Sequence, residues 1–267
     1  MIVAIRWPIL VWSRQPRPAP RPSPVLRPRT KRLAAAGLLA AGLASLAWSF
    51  CQSPAAPRER IGLFSSLPIL WGEADGLGDL LSADRPAHLV KRVLDARATI
   101  KPLDTLDALE PQLRLLVIAQ PRPLSPSENL ALDNWVRGGG RLLLLADPLL
   151  TEPSARALGD PRRPQDIVLL SPILARWGLE LTFDDLQPGG LHMRQFGGAV
   201  VPVNLPGAWR TRNADCQVEG VGVLVICAIG KGRVVALADA EVAAERDPDG
   251  SREGALAYLL EQAFVRP

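Results

Sequence analysis

The chain has 267 residues, of which 48% are hydrophobic, so it is long enough to bury the core of one sizeable domain. Its net charge of +4 comes from residues 1–32, which carry eight Lys or Arg and no Asp or Glu. The remaining chain has 23 basic residues against 27 acidic residues. That balance argues against a nucleic-acid-binding protein, for which a basic face is expected.

Residues 1–32 also hold seven prolines, which predicts a disordered arm, unless translation begins further downstream. Residues 33–50, LAAAGLLAAGLASLAWSF, carry no charge and follow a basic flank. This pattern predicts a transmembrane helix or signal anchor over residues 33–51, with the C-terminal domain in the periplasm of a bacterial inner-membrane, single-pass protein. A cleaved signal peptide and a buried soluble helix are the alternatives.

Residues 60–267 alternate short apolar runs with amphipathic segments, which is typical of an α/β domain. Predicted strands cover residues 60–66, 98–100, 113–120, 141–147, 179–183, 198–203, 223–229 and 233–239. Predicted helices cover residues 85–97, 126–137, 172–177 and 252–264, whereas residues 147–168 and 184–197 look like loops. We expect a mainly parallel sheet with helices on both faces and an antiparallel edge hairpin.

Two glycine-rich stretches resemble phosphate-binding loops. In VRGGGRLLLLADP (136–148), however, a helix precedes the glycines and a strand follows them, which is the reverse of the order that a phosphate loop needs. We therefore expect Gly138 to end the helix in the left-handed conformation. The stretch GKGR (230–233) lacks the other residues of a P-loop and predicts a tight hairpin.

Polar residues stand where the predicted parallel strands end, and in open α/β sheets ligands bind beyond those carboxyl ends. A small polar ligand is one interpretation of this set, and solvated or turn-capping side chains are the other. The candidate ligand-binding residues are Ser65, Ser66, Gln120, Arg122, Asp147 and Asp239. No H-x-x-x-H, C-x-x-C or G-x-S-x-G pattern occurs, so the sequence predicts no catalytic residue, no metal site and no cofactor.

Cys216 and Cys227 lie eleven residues apart across a predicted hairpin. In an oxidising periplasm they could form a disulfide, and two buried thiols on neighbouring strands are the equal alternative.

Three stretches of the chain resemble a known family when taken in order. They are LDALEPQLRLLVIAQPRPLSPSENLALDNWVRGGGRLLLLADP, LSPILARWGLELTFDDL and GKGRVVALADAEV. They are similar to the periplasmic domain of gliding-motility-type ABC transporter auxiliary proteins and of DUF4350-like domains. The resemblance covers roughly residues 60–185 and 228–245, although Glu241 and Val242 replace the usual Asp-Phe of the group.

The resemblance implies a glutamine amidotransferase-like or flavodoxin-like fold without enzymatic activity. In that fold the nucleophilic cysteine follows the strand that corresponds to residues 141–147, where this chain has Ala146-Asp147-Pro148. The resemblance also implies an ABC transporter permease and ATPase as partners. The membrane would be reached through residues 33–50, as their composition predicts. Two other functions remain open: a hydrolase acting through Asp147 and Asp239, and a solute-sensing membrane module.

Overall fold

The computed structural model describes residues 58–73 and 86–265. These residues form eleven strands, four helices and two single 3₁₀ turns. The strands are β1 (Arg60–Ser65), β2 (Thr99–Pro102), β3 (Leu115–Ala119), β4 (Arg141–Leu145), β5 (Leu179–Thr182), β6 (Leu191–Phe196), β7 (Ala199–Asn204), β8 (Ala208–Thr211), β9 (Cys216–Glu219), β10 (Leu224–Ile229) and β11 (Gly232–Leu237). The helices are α1 (Leu89–Arg97), α2 (Pro126–Arg137), α3 (Ser171–Arg176) and α4 (Ser251–Phe264). Gly220–Gly222 and Glu241–Ala243 form single 3₁₀ turns.

Seven of these strands form one sheet in the order β2-β1-β3-β4-β11-β10-β9. The pairs from β2 to β11 are parallel, and β10 and β9 complete the sheet as an antiparallel edge. The prediction of a mixed α/β domain with a mainly parallel sheet is therefore confirmed. The hairpin of β10 and β11 turns at Gly230-Lys231, as the GKGR stretch predicts.

The sheet separates two hydrophobic cores because successive side chains of a strand point to opposite faces. On β3, Leu115 and Val117 belong to the core under α1 and α4, whereas Leu116 and Ile118 belong to the core under α2 and α3. The continuous apolar run of this strand thus reflects burial on both faces, as expected for a parallel sheet covered by helices.

Helix α2 begins and ends for local reasons. Ser125 accepts a hydrogen bond from the Glu128 backbone N–H, and the Glu128 carboxylate accepts one from the Ser125 N–H, which completes the predicted capping box. The helix ends at Gly138 as predicted, but Gly138 keeps right-handed angles and Gly139 has the positive φ of 107°. The prediction of a left-handed Gly138 was wrong by one residue, because Gly139 is the glycine that takes the positive φ.

The two glycine-rich turns pack against each other at the amino ends of β4 and β11. The Lys231 N–H donates to the Arg137 carbonyl at 3.0 Å, and the Arg233 N–H donates to the Gly140 carbonyl at 3.1 Å. A Cβ on Gly232 would lie 1.9 Å from the Val136 carbonyl oxygen. Both stretches therefore serve close backbone packing, at the end of the sheet opposite to the carboxyl edge.

Strands occur where the sequence predicted a loop or nothing. Residues 184–197 contain β6, which forms a hairpin with β7, so that prediction was wrong. Its polar and exposed side chains concealed the alternation, because only Phe196 of this strand is buried. Strands β8 and β9 were also missed, and β8 pairs with β5 in a separate two-stranded sheet. Residues 147–168 hold no helix or strand, as expected.

Two cysteines lie opposite each other on neighbouring antiparallel strands, Cys216 on β9 and Cys227 on β10. They form a disulfide with a Cα–Cα distance of 4.1 Å. The bond joins the outermost strand of the sheet to its neighbour.

The predicted arm (1–32) and membrane segment (33–51) lie outside the described residues. Within residues 58–73 and 86–265, no helix has the length and apolar character needed to cross a membrane.

Candidate functional site

The carboxyl ends of four neighbouring strands meet at one edge of the sheet. Ala119 on β3 pairs with Leu145 on β4, which in turn pairs with Leu237 on β11. Asp147 and Asp239 each lie two residues beyond their strand, so parallel pairing in this register brings the two carboxylates side by side. The tertiary structure thus meets the geometric condition that a paired-carboxylate site requires.

Asp147 is 2% exposed, and both of its carboxylate oxygens accept backbone hydrogen bonds. Oδ1 accepts from the Leu149 N–H at 2.8 Å, which closes a turn two residues ahead. Oδ2 accepts from the Ala240 N–H at 3.2 Å and so ties the end of β4 to the end of β11.

Asp239 is fully buried and has the same arrangement. Its Oδ1 accepts from the Glu241 N–H at 2.6 Å, again two residues ahead. Its Oδ2 accepts from the Asn204 N–H at 2.8 Å, which anchors the end of β7 to the main sheet. The two aspartates therefore cap turns, which is the second of the two interpretations of their position in the sequence. They also join separate elements of the fold.

Burial raises the pKa of both aspartates. The pKa of Asp147 rises to about 6, because burial disfavours the charged form more than its backbone hydrogen bonds favour it. The pKa of Asp239 is also well above its ordinary value, first because of burial and then because the Asp147 charge lies nearby. Because the charge of Asp147 raises the pKa of Asp239, the two carboxyl groups titrate as a pair.

Gln120 connects the end of β3 to this pair. Its side chain is fully buried. Its backbone has a φ of 42°, in the left-handed region that residues other than glycine rarely adopt. The amide oxygen accepts from the Asp147 N–H at 2.9 Å, and the amide nitrogen donates to the carbonyls of Asp147 at 3.1 Å and Gln165 at 2.7 Å. One side chain thus satisfies backbone groups of β4 and of the loop that follows it.

Ser65 and Ser66 at the end of β1 also bond to the backbone. The Ser65 hydroxyl donates to the Ala119 carbonyl at 2.8 Å. The Ser66 hydroxyl donates to the Gln120 carbonyl and accepts from the Gln165 N–H. The loop that contains Gln165 therefore lies across the strand ends.

Arg122, the sixth predicted site residue, does not join the other five. Its guanidinium donates to both carboxylate oxygens of Glu128 and to the Asp104 carbonyl, and it stacks over the Phe64 ring at 5.0 Å from the centroid. This bidentate pair lowers the pKa of Glu128, and it buttresses the start of α2.

The five residues at the edge hold one another and the loops above them. Their polar atoms are directed at backbone groups, and the three largest side chains, Gln120, Asp147 and Asp239, are buried. Among the described residues, no group of His, Cys, Asp and Glu has the arrangement of a metal site. The arrangement can stabilise the loops, but a substrate has no direct route to its carboxylates.

Nothing in the sequence pointed to the partners that close this edge, Gln165 and Asn204. Gln165 lies in a loop and Asn204 ends β7, and each contributes through a backbone N–H or C=O, which side-chain patterns do not report. The sequence also missed a groove beside β5, which is about 860 Å³ in volume and lies outside the carboxylate edge.

An α/β domain with a closed carboxyl edge is thus the class of protein that the fold and the site define. Residues 58–187 match a family whose description is ABC-type uncharacterized transport system. This match supports the resemblance to ABC transport auxiliary domains. The matched range includes Asp147 but stops before Asp239 and before the hairpin of β10 and β11. No curated protein matches the chain.

Solved structures resemble this chain at low identity and with TM-scores below 0.5. An exo-β-1,4-mannosidase from Opitutaceae bacterium strain TAV5 is 14% identical with a TM-score of 0.49, over 79% of this chain and 37% of that chain. A β-galactosidase from Bacillus circulans sp. alkalophilus is 14% identical with a TM-score of 0.45, over 79% of this chain and 32% of that chain. A ThuA-like protein from Bacteroides uniformis is 10% identical with a TM-score of 0.46, over 80% of this chain and 92% of that chain. The chain spans about a third of the length of these glycosidases, and likenesses at this level carry no argument about activity.

Proposed function

We propose that this chain is a non-catalytic, membrane-tethered periplasmic domain that assists an ABC-type transport or envelope system by binding a partner protein. The observation that carries the proposal is the closed carboxyl edge of the sheet. Ligands of open α/β sheets bind at this edge, but here Gln120, Asp147 and Asp239 are buried and bonded to backbone groups. A scaffold with its usual ligand edge occupied by its own loops fits a binding role on another surface.

Three further observations support the proposal. The family match over residues 58–187 indicates an auxiliary role in an ABC-type system. The Cys216–Cys227 disulfide suits an oxidising compartment such as the periplasm. The uncharged stretch of residues 33–50, preceded by basic residues, has the composition of a membrane anchor.

The hydrolase alternative rests on the same carboxylate pair. Two neighbouring carboxyl groups with raised pKa values are a pattern found in active sites. A general acid or base must lie within hydrogen-bond reach of its substrate, however, and exposures of 2% for Asp147 and 0% for Asp239 exclude such contact without movement of the loops. Burial therefore favours the non-catalytic function.

Association with a transporter is tested on the tagged full chain, cross-linked in its native membrane and purified. We expect an ABC permease and its ATPase to be recovered with the chain in comparable amounts. Recovery of the chain without either transporter component would contradict the auxiliary role.

The absence of catalysis is tested separately on the purified full chain with panels of ester, phosphoester and glycoside substrates. We expect no turnover that depends on the carboxylate pair. A turnover that Asp147→Asn abolishes while the variant remains folded would establish the hydrolase instead.

The location is tested with Leu158→Cys, because Leu158 is 82% exposed on the loop after β4. A cell-impermeant maleimide should label this variant more strongly than the unchanged chain in cells with a permeabilised outer membrane. Equal labelling before cell lysis, with a gain only after lysis, would place the domain on the cytoplasmic side.

A further inference from the structure

Within residues 58–73 and 86–265, strand β5 has one unpaired edge. Among the described strands it pairs only with β8, and the Arg212 N–H donates to the Gly178 carbonyl at 2.9 Å. In an antiparallel ladder, bonded pairs alternate with non-bonded pairs. The backbone N–H and C=O groups of Leu179 and Leu181 therefore point away from β8. Leu181 is partly exposed, whereas Leu179, which also lines the groove described next, is 4% exposed.

A groove lies beside β5, and residues of helix α3, β5 and β8 line it. Its volume is about 860 Å³, within the range of about 300–1,000 Å³ that is usual for ligand sites. Apolar side chains line most of it, among them Ile167, Leu170, Leu174 and Phe183. Ile167 is 53% exposed and Phe183 38% exposed, so the apolar lining is open to solvent.

The charged residues of the groove are Glu180, Arg210 and Arg212. All three are exposed, and Arg210 lies opposite Glu180 on the paired strand. Neither arginine makes an ion pair or side-chain hydrogen bond with another residue in the described ranges. The groove thus combines an open strand edge, an apolar wall and a net positive charge.

We propose that this groove binds an extended segment of a partner protein, which adds a strand to the open edge of β5. The partner backbone pairs with Leu179 and Leu181, an apolar side chain enters the groove beside Ile167 and Phe183, and an acidic side chain reaches Arg210 or Arg212. Grooves between a strand edge and a helix recognise peptides in this way, with backbone bonds providing affinity and side-chain pockets providing specificity. The inference rests on the proposed function in taking the partner to be a protein.

Several features of the groove favour an acidic, extended peptide over other ligands. Unpaired backbone groups on a strand edge are satisfied by another strand, not by a compact solute. The four residues of β5 span about 13 Å, at about 3.3 Å per residue, which matches a short strand. The two arginines favour carboxylate side chains on the partner.

The test uses a displayed library of random heptapeptides with the purified full chain as bait. We expect the enriched peptides to alternate apolar and polar positions, to contain Asp or Glu, and to lack proline at every second position. Enrichment of basic or proline-rich peptides, or no enrichment over an empty support, would overturn the proposal.

The most enriched peptide then serves as the probe for the backbone contacts. N-methylation of its alternate amides in one phase should abolish binding, because those amides donate to β5. N-methylation in the other phase should leave the affinity within about threefold. Equal effects of the two phases would show that no strand is added. This measurement leaves the protein unchanged and so does not depend on the folding of a variant.

The charge contribution is tested with Arg210→Glu combined with Arg212→Glu, which should lower the affinity of the probe at least tenfold. Arg194→Glu is the matched control, because Arg194 is also exposed on a strand but lies on β6, away from the groove. An effect of equal size in the control would reduce the contribution of the groove to a general charge effect and contradict the proposal.

The same double variant separates this inference from the proposed function. If the transporter is recovered equally with the double variant and with the unchanged chain, the groove is not its binding site, although the auxiliary role stands. If the probe binds as expected but no transporter component is recovered, the groove stands and the auxiliary role fails.

Discussion

The buried carboxyl group of Asp147 should make the stability of this domain depend on pH in an unusual direction. Burial raises its pKa from 3.8 to about 6 in the folded state. Each pKa unit corresponds to about 1.4 kcal/mol, so protonation of Asp147 is linked to about 3 kcal/mol of the free energy of unfolding.

The sign follows from which state binds the proton more tightly. The folded state does so, because its pKa is the higher one. The stabilisation is therefore fully present below pH 3.8 and is lost as the pH rises through about 6. From pH 4 to pH 7.5, we expect the free energy of unfolding to fall by about 2.5 kcal/mol relative to Asp147→Asn, which cannot titrate.

The comparison with Asp147→Asn also removes the effects of groups that the Asp147 charge does not influence. Asp239 differs from these groups, because its pKa loses in the variant the rise that the Asp147 charge causes, and this change acts in the same direction as the loss of Asp147 titration. Burial lowers the pKa of His88, so this histidine destabilises the fold as the pH falls below 6.5, in the opposite direction. Burial raises the pKa of Glu152, which acts in the same direction as Asp147. Both groups are unchanged in the variant, and their contributions therefore largely cancel in the difference.

The assay is urea unfolding of the full chain in a mild detergent at pH 4, 5, 6 and 7.5, for both proteins. Asp184→Asn is the matched control, because Asp184 also accepts a backbone N–H two residues ahead, at 3.0 Å, but is exposed. Its difference from the unchanged chain should vary by less than about 0.5 kcal/mol over this range. A flat difference for Asp147→Asn, or one that grows in favour of the unchanged chain at high pH, would refute the reasoning.

Three further predictions concern the packing and the cross-link. Gly232→Ala places a Cβ 1.9 Å from a backbone oxygen and should destabilise the fold by about 3 kcal/mol in urea unfolding, whereas Gly254→Ala, with nothing within 4 Å in helix α4, should stabilise it by about 0.5–1 kcal/mol. Loss of the Cys216–Cys227 disulfide should cost about 3 kcal/mol for its eleven-residue separation, and a reductant should lower the melting temperature of the unchanged chain but not that of a double Ala variant. Asp133→Ala leaves the buried indole N–H of Trp177 without its acceptor, and it leaves Arg137 and Arg176 without their carboxylate partner. It should lower the free energy of unfolding, measured by urea titration, by about 3 kcal/mol. A loss below about 1 kcal/mol would mean that water replaces the carboxylate.

The candidate site could be predicted in part. Asp147 and Asp239 each follow a recognisable apolar strand, and parallel strands end at the same edge, so the sequence places both at the right end of the sheet. Their burial could not be predicted, because it depends on contacts with distant residues. Gln165 lies in a loop without helix or strand periodicity, and Asn204 ends a strand whose place beside Asp239 no local pattern specifies. Arg122 also follows a predicted strand, but it does not join the site. Its guanidinium pairs with the nearby carboxylate of Glu128 at the start of α2.

The sequence by itself determined the local structure. The capping box starts α2, and the glycines that follow end it. The continuous apolar runs of β3 and β4 specify strands covered on both faces. Each of these features depends only on near neighbours. The tertiary structure alone decided that β4 pairs with β11, that the two aspartates meet and are closed over, and that β5 keeps an open edge. These features depend on contacts between residues such as Asp147 and Ala240, 93 positions apart, and no local pattern of side chains encodes a contact at that separation.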